Sequence, residues 1–344
     1  MDRPHGALYT RFDPSTVQLH PVATRPNLVT LADVLPLDAP FDRTPCGGMA
    51  LQLLTLAIRN AQIVGKPIVV FLGGHPIKLG LTRFLSRMIA TGSITHLAIN
   101  GAAFVHDWEL ACYGTTSEAV DITIEDGRFG FAEETLTETR DLIASANMLD
   151  LGLGQVAGAT LNNLYYVGQS GRAANGYGPD RRDLSLLHAA HVAGITTSVH
   201  SGPIGADIFH LDPEFDGAKF GRVAHTDWLH FVQAVTQIGN GGVFLNIGSQ
   251  VAGPELFLKA LAAARNTAAD HSVVEFTTAV FDLPDHADVT GPLMPEAGTP
   301  AYFQRWRKNV LVRPVDGHGA GLFIGANFRD SIPALHSLLT QKDQ

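Results

Sequence analysis

The chain has 344 residues, 45% of them hydrophobic and only 17% charged, so it can bury a large core as one large domain or two smaller ones. A formal net charge of −9, with no long run of Lys and Arg, argues against a nucleic-acid partner, whose phosphates demand a basic face. Two cysteines, Cys46 and Cys112, do not make a disulfide framework, and no stretch has the apolar run of a leader or a membrane span, so the expectation is a soluble, cytoplasmic protein.

Residues 1–45 are rich in proline and polar residues, with one apolar patch at "LVTLADVLPL". They read as an N-terminal arm wrapped on the domain or on a neighbouring subunit, the alternative being a partly disordered tail. From 46 to 344 the pattern is regular. In "CGGMALQLLTLAIRNAQIVGKP" the residues Met49, Leu53, Leu56, Ala57 and Ile63 form a helical stripe closed by Gly65. "IVVFLGG" is a continuous apolar strand, "LTRFLSRMIATG" a helix ended by Gly92, and "ITHLAING" a second strand. The acidic "TSEAVDITIEDGRFGFAEETLTETRDLIASANML" supplies a long amphipathic helix, and "GQSGRAANGYG" (168–178) reads as a flexible loop. "DLSLLHAAHVAG" is a helix before the strand "ITTSVHSG"; "TDWLHFVQAVTQIGNGG" leads to the strand "VFLNIGS". "PELFLKALAAARNT" is a helix and "SVVEFTTAVFD" a strand. Helices alternate with strands that are apolar runs rather than period-2 alternations. That combination predicts one α/β domain, a doubly wound, mostly parallel sheet covered on both faces.

Ligands of such sheets bind beyond the carboxyl ends of the strands. Here those ends are "GGHPIKLG", "NGAAFVHDWE", "HSGPIGADIFH", "NIGSQVAGPE" and "TTAVFD". Their glycines let backbone N–H groups approach a phosphate, and each following helix adds a partial positive charge. The G-x-G-x-x-G fingerprint is missing, so an ordinary Rossmann dehydrogenase is not indicated. Asp107, Glu109, Asp207, Glu255 and Asp282 stand at these ends; each could meet a ribose hydroxyl or a substrate cation, or simply cap the next helix. His75, His106, His200 and His210 fall there too and raise a metal hydrolase as a rival, although no metal-binding His spacing occurs. No G-x-S-x-G elbow supports a serine hydrolase.

Taken in order, these strand ends resemble the deoxyhypusine synthase family. "LAINGAAFVHDWELACYG" sits where that family has its "AGG" turn, and "SGPIGADIFH" is similar to its "DGS-x-GD" loop, with Asp207 on the second Asp. "FLNIGSQVAGPELFLKAL" is similar to the "GGG" turn, with Gly248 on its first Gly, and "TTAVFDLPD" to "NTAQEFDGSDSG", with Asp282 on the first Asp. "FLGGHPIKLG" fits the family's "FLGYTSNLISSG". The order holds from about residue 45 to 340, with sparse identities.

The resemblance implies a Rossmann-like fold that binds NAD, a homotetramer, and transfer of an aminobutyl group from spermidine through an enzyme lysine. It implies dinucleotide contacts at Gly73, Gly74, Asn100, Gly101, Ala102, Asp207, Gly248, Ser249 and Asp282. Two departures matter. The family's "VVKHH", with its general-base histidine, is "VAGPE" here, with Pro254 on the base and Glu255 beside it. Its "WGK", with the imine-forming lysine, corresponds to "WRK", with Lys308 on that lysine. Asp207, Glu255 and Lys308 are thus the catalytic candidates, and "RPVDGHGAGLF", without counterpart in the family, is a candidate substrate pocket. The leading expectation is an NAD-dependent enzyme acting on an amine or polyamine. The alternatives are deoxyhypusine synthase itself and an NAD-binding sensor or scaffold without turnover.

Overall fold

The structure, a computed structural model, describes residues 11–42, 48–163, 181–269, 273–283 and 294–341. The strands are β1 (Asn27–Thr30), β2 (Ile68–Leu72), β3 (His96–Asn100), β4 (Thr115–Glu118), β5 (Thr196–His200), β6 (Val243–Ile247), β7 (Thr277–Asp282) and β8 (Ala320–Gly325). The helices are α1 (Gly48–Val64), α2 (His75–Lys78), α3 (Thr82–Ala90), α4 (Gly101–Tyr113), α5 (Val120–Thr123) and α6 (Glu133–Leu149). They continue with α7 (Leu153–Asn163), α8 (Leu186–Val192), α9 (Gly217–Thr236), α10 (Ala252–Thr267), α11 (Pro300–Phe303) and α12 (Phe328–Thr340).

Six strands pair in parallel in the order β5-β3-β2-β6-β7-β8. Numbered along the chain within this sheet, that order is 3-2-1-4-5-6, the doubly wound dinucleotide-binding topology. The reason lies in the strands. All five residues of "IVVFL" are buried, and they alternate between two cores. Ile68, Val70 and Leu72 join one core, with Phe84 of α3 and Phe104 of α4; Val69 and Phe71 join the other, with Phe231 of α9 and Phe257 of α10. The crossover from β2 through α3 to β3 sends the chain one way; after β5, α9 and α10 cover the opposite face as it proceeds to β6 and β7. The chain reverses direction across the sheet between β2 and β6.

Three features differ from the expectations. First, α1 buries Leu51, Leu54, Thr55, Ile58 and Ala61, while Met49, Leu53, Leu56 and Ile63 are exposed. The helix is apolar on two sides, so its periodicity identified a helix and the wrong buried stripe. Second, "RPVDGHGAGLF" is no pocket at the crevice: Arg313–Gly319 precede β8 at the amino end of the parallel sheet, opposite the strand ends that could bind a ligand. Third, β8, α7 and α12 belong to the fold although no periodicity announced them. The loop 168–178 and Cys46 lie outside the described residues. Among the described residues no helix is long and apolar enough to cross a membrane.

Residues 11–42 are tied to the core. β1 pairs antiparallel with β4, Leu35 N donates to Gly80 O (2.9 Å), and Arg25 forms a two-pronged ion pair with Glu109 (both contacts 2.8 Å).

Under the sheet, His96 and His200 share the hydroxyl of Ser198 at 3.0 and 2.9 Å, with Phe231 packed on both rings. Burial lowers both imidazoles to about 3, so both are uncharged at neutral pH. His200 is therefore core rather than a ligand-facing strand end. A histidine whose folded pKa is depressed contributes stability above pH 6.5 and loses it as pH falls toward 3. His200→Phe should remove the His200 share of this dependence and leave that of His96. Between pH 6.5 and 5 the wild type should lose about 2 kcal/mol relative to the variant, measured by urea unfolding at each pH. Equal slopes would contradict the assignment.

Candidate functional site

The crevice at the switch point is bounded by the turns that end β2 and β6. Gly73 N donates to Ile247 O at 2.9 Å, and a Cβ on Gly73 would stand 2.1 Å from Gly248 O. Gly74 packs against Ala102 and the Cδ2 edge of His106, 2.9 Å from where its Cβ would be. Gly101 opens α4 directly under the Asp207 carboxylate, whose atoms lie 2.3–2.5 Å from a Cβ built there. In each case protein fills the space of the missing side chain, so these glycines let the turns close on one another. Gly248 has φ +67, a left-handed conformation that favours glycine.

Neighbouring elements fix the polar groups around the crevice. The Asn100 side chain caps α4 by accepting from Ala103 N (2.8 Å). Ser249 Oγ accepts from Gly253 N (2.9 Å) in the first turn of α10, while Asn246 Nδ2 donates to Ser249 O (2.8 Å). Asp282, buried at the end of β7, accepts from the Gln250 side chain and from Leu283 N (2.8 Å). Asp207 Oδ2 accepts from Ser201 Oγ (2.7 Å) and Gly202 N (3.0 Å). His210 Nδ1 accepts from Gly205 N and Asp207 N, which leaves its Nε2–H to donate to Ser201 Oγ (3.1 Å). The nine residues expected to meet a dinucleotide thus lie along the carboxyl ends of β2, β3, β5, β6 and β7.

The three catalytic candidates divide. Glu255, in the first turn of α10, accepts from Lys259 and from Asn309 Nδ2 (2.9 Å), with Arg305 at 3.5 Å; the hydrogen bond from Lys259 does most to hold its carboxyl below the usual range. Lys308 lies in a buried π-helical turn, Arg307–Val312, with its ammonium 3.6 Å from the centre of the Tyr302 ring. Asn309 and Arg305 therefore join Glu255 to the segment that carries Lys308. Asp207 stands over the end of β3, two strand spacings or about 10 Å across the sheet from the end of β6, and does not join them.

Beside Gly74 the structure opens a cavity of about 230 Å³, small for a dinucleotide and sized for a metabolite. Ala102, Val105, Phe129 and Ile208 give it apolar walls, and Lys78, His106, Glu118 and Asp207 give it charge and polarity. Glu109 and Arg25 also line it, but they satisfy each other, and Glu109 takes two further hydrogen bonds, from Thr116 and Thr135 (both 2.7 Å). His106 is not at a strand end but in the second turn of α4. Its Nδ1 lies 2.9 Å from Thr116 Oγ1. That hydroxyl spends its one hydrogen on Glu109, so His106 donates from Nδ1 and its Nε2 keeps a lone pair, on the Cδ2 edge that faces Gly74. Burial above all lowers this imidazole to about 4, against an opposing pull from Glu109, and leaves it uncharged. Asp107, also a candidate from sequence, instead caps α8: it accepts from Ser185 Oγ (2.6 Å), Leu186 N and Leu187 N, fully buried.

Sequence reasoning missed Glu118 and Arg25. Glu118 is nine-tenths buried; its Oε2 accepts from Gly130 N (2.9 Å), and its Oε1 has no hydrogen-bond partner among the described residues. Nothing in the local pattern marks either residue, since both act across long separations. Among the described residues no three His, Cys, Asp or Glu side chains gather to hold a metal ion.

No protein-family model matches the chain, and no curated protein matches it. Among solved structures, it is similar to ArgZ, an arginine dihydrolase from the ornithine-ammonia cycle in cyanobacteria, with 13% identity and a TM-score of 0.44 over 85% of this chain and 30% of that one. It is similar to AgrE in a ternary complex with ornithine and NAD+, at 13% identity and 0.43 over 85% and 32%. A LOR/SDH protein from Methanococcus maripaludis S2 gives 11% and 0.43 over 89% and 72%. The chain spans about a third of the length of ArgZ and AgrE. At these scores the likeness is loose, and the fold assignment rests on the strand order itself.

Proposed function

We propose that this chain is an NAD-dependent enzyme that dehydrogenates an amine, with its dinucleotide turns arranged as in deoxyhypusine synthase. The observation that supports it is the meeting of two glycine turns at the switch point between β2 and β6, with a charged cavity beside Gly74 on the β3 and β5 side of them. In this reading the dinucleotide lies across the ends of β2 and β6. It meets backbone groups of Gly73, Gly74, Asn100, Gly101, Ala102, Gly248 and Ser249, with Asp282 accepting from a ribose hydroxyl and Asp207 bordering both cofactor and amine. The N-termini of α4 and α10 point their partial positive charge toward the same crevice, which suits a pyrophosphate. When bound, NAD supplies the hydride acceptor. The chain's part is to hold the amine's C–H bond in place and exclude water.

Aminoalkyl transfer, with Lys308 as the covalent residue and Glu255 as the proton-moving neighbour, is the finer form of this proposal. It requires Lys308 to leave the Tyr302 ring. The homotetramer that the resemblance implies belongs to the same proposal.

Titration with NAD should stabilise the protein by about 2.7 kcal/mol at a hundredfold excess over Kd, read as a rise in Tm. Adding an amine should then produce the near-ultraviolet absorbance of reduced nicotinamide. No rise in Tm at millimolar NAD would sink the proposal. NAD binding without reduction by any amine would favour a sensor or scaffold. Borohydride trapping of an imine, lost in Lys308→Arg, supports the transfer chemistry; trapping unchanged by that substitution removes Lys308 from it.

A further inference from the structure

The cavity beside Gly74 holds charges of both signs that the protein itself leaves unspent. Arg25 and Glu109 cancel in their two-pronged pair. Lys78 lines the cavity and makes no ion pair among the described residues. On the acidic side, Glu118 keeps a buried oxygen without a hydrogen-bond partner, and the Ser201–His210 chain fixes Asp207 in place. A buried carboxylate oxygen without a donor is costly unless a ligand supplies one. His106 adds an acceptor of a particular kind. Because Thr116 and Glu109 lock its proton on Nδ1, Nε2 offers a lone pair and carries no charge that would repel a cation.

We propose that this cavity is a binding site for a zwitterionic amino acid, with the ligand's carboxylate on Lys78 and its ammonium groups on Glu118, Asp207 and Nε2 of His106. The inventory of two carboxylates and one ammonium matches a ligand with two cationic groups and one anionic group, which is a basic amino acid rather than a polyamine. An amine lacking the carboxylate leaves Lys78 unpaired beside the ligand's own positive charge, and this is the source of discrimination. The proposal rests on the amine-enzyme reading above for the choice of this cavity as the substrate side, and it narrows that reading by adding the carboxylate.

Isothermal titration of the intact chain with L-lysine and with cadaverine, its decarboxylated counterpart, tests it, run with and without saturating NAD. L-lysine should bind at least about tenfold more tightly than cadaverine. Lys78→Met should remove that advantage and leave cadaverine within about twofold of its wild-type affinity, while Glu118→Gln should weaken both by about tenfold or more. Circular dichroism checks that each variant is folded. Cadaverine binding as tightly as L-lysine, equal losses for both in Lys78→Met, or no binding of either ligand would overturn the proposal. A loss of NAD affinity in Lys78→Met with lysine binding intact would hand Lys78 to the pyrophosphate and also overturn it. NAD affinity is measured separately, so NAD binding without lysine binding defeats only this proposal. Lysine binding without NAD binding defeats only the cofactor reading.

Discussion

Gly73→Ala is expected to destabilise the protein by about 3 kcal/mol and, on the proposed reading of the crevice, to weaken NAD binding with it. The added Cβ would fall 2.1 Å from Gly248 O and 2.9 Å from Gly248 C. Both are backbone atoms of the turn that ends β6, and Gly73 N is already bonded to Ile247 O in the same place. No side-chain rotation relieves such a contact, so the two turns must separate at the point where the sheet reverses its winding. The comparison is Gly221→Ala in the second turn of α9, where nothing lies within 4 Å of the new Cβ. There the methyl should stabilise by up to about 1 kcal/mol, because glycine is the worse helix former. Urea unfolding of the two variants should therefore move in opposite directions. An unchanged midpoint for Gly73→Ala would show that the turns are free to shift, and would weaken the case for a preformed crevice.

Glu109→Ala should cost about 3–5 kcal/mol, the range for removing one partner of a buried ion pair. Glu109 is 1% exposed and Arg25 6% by side chain, and the two make parallel 2.8 Å hydrogen bonds. Without Glu109 the Arg25 guanidinium is buried without its carboxylate, and the hydroxyls of Thr116 and Thr135 lose their acceptor. The consequence reaches the cavity, because Thr116 is then free to donate to His106 and the imidazole loses its fixed tautomer. Limited proteolysis should cut residues 11–30 faster in the variant. The pair Arg25→Met with Glu109→Leu should recover most of the stability, since apolar replacements of similar volume are close to neutral. If the double variant is as unstable as the single one, the ion pair is not the cause.

Much of the sheet was legible in the sequence, for a physical reason. Strands buried on both faces must be apolar throughout, and "IVVFLGG" or "VFLNIGS" ended by glycine has few other readings. β8 escaped notice because it lies at the edge, only half buried, and contains two glycines among six residues. α1 was legible as a helix but not in its orientation, because apolar residues occupy two of its sides. In the site, the strand-end residues were in view because a turn is a local event. Arg25 with Glu109, 84 residues apart, and Glu118 against Gly130 were not, because the fold alone brings them together. His106 was noticed for its residue type and misplaced on a strand end, and its role came only with the hydrogen bonds that fix its proton.

The position of β2 in the sheet carries a kinetic consequence. Its residue Val69 finds a neighbour in His96, a short closure, whereas Ile68 finds one in Val243, about 175 residues later. Contacts so distant along the chain form slowly, because the entropy of the closed loop is lost before any pairing rewards it. The strands β2, β3 and β5 and the Arg25–Glu109 pair all come from residues that precede β6 in the chain. The crevice between β2 and β6 cannot exist until β6 has paired with β2. Occupation of the switch point therefore reports that the two halves of the sheet have joined, and a ligand there would stabilise none of the forms in which β2 and β6 are still apart.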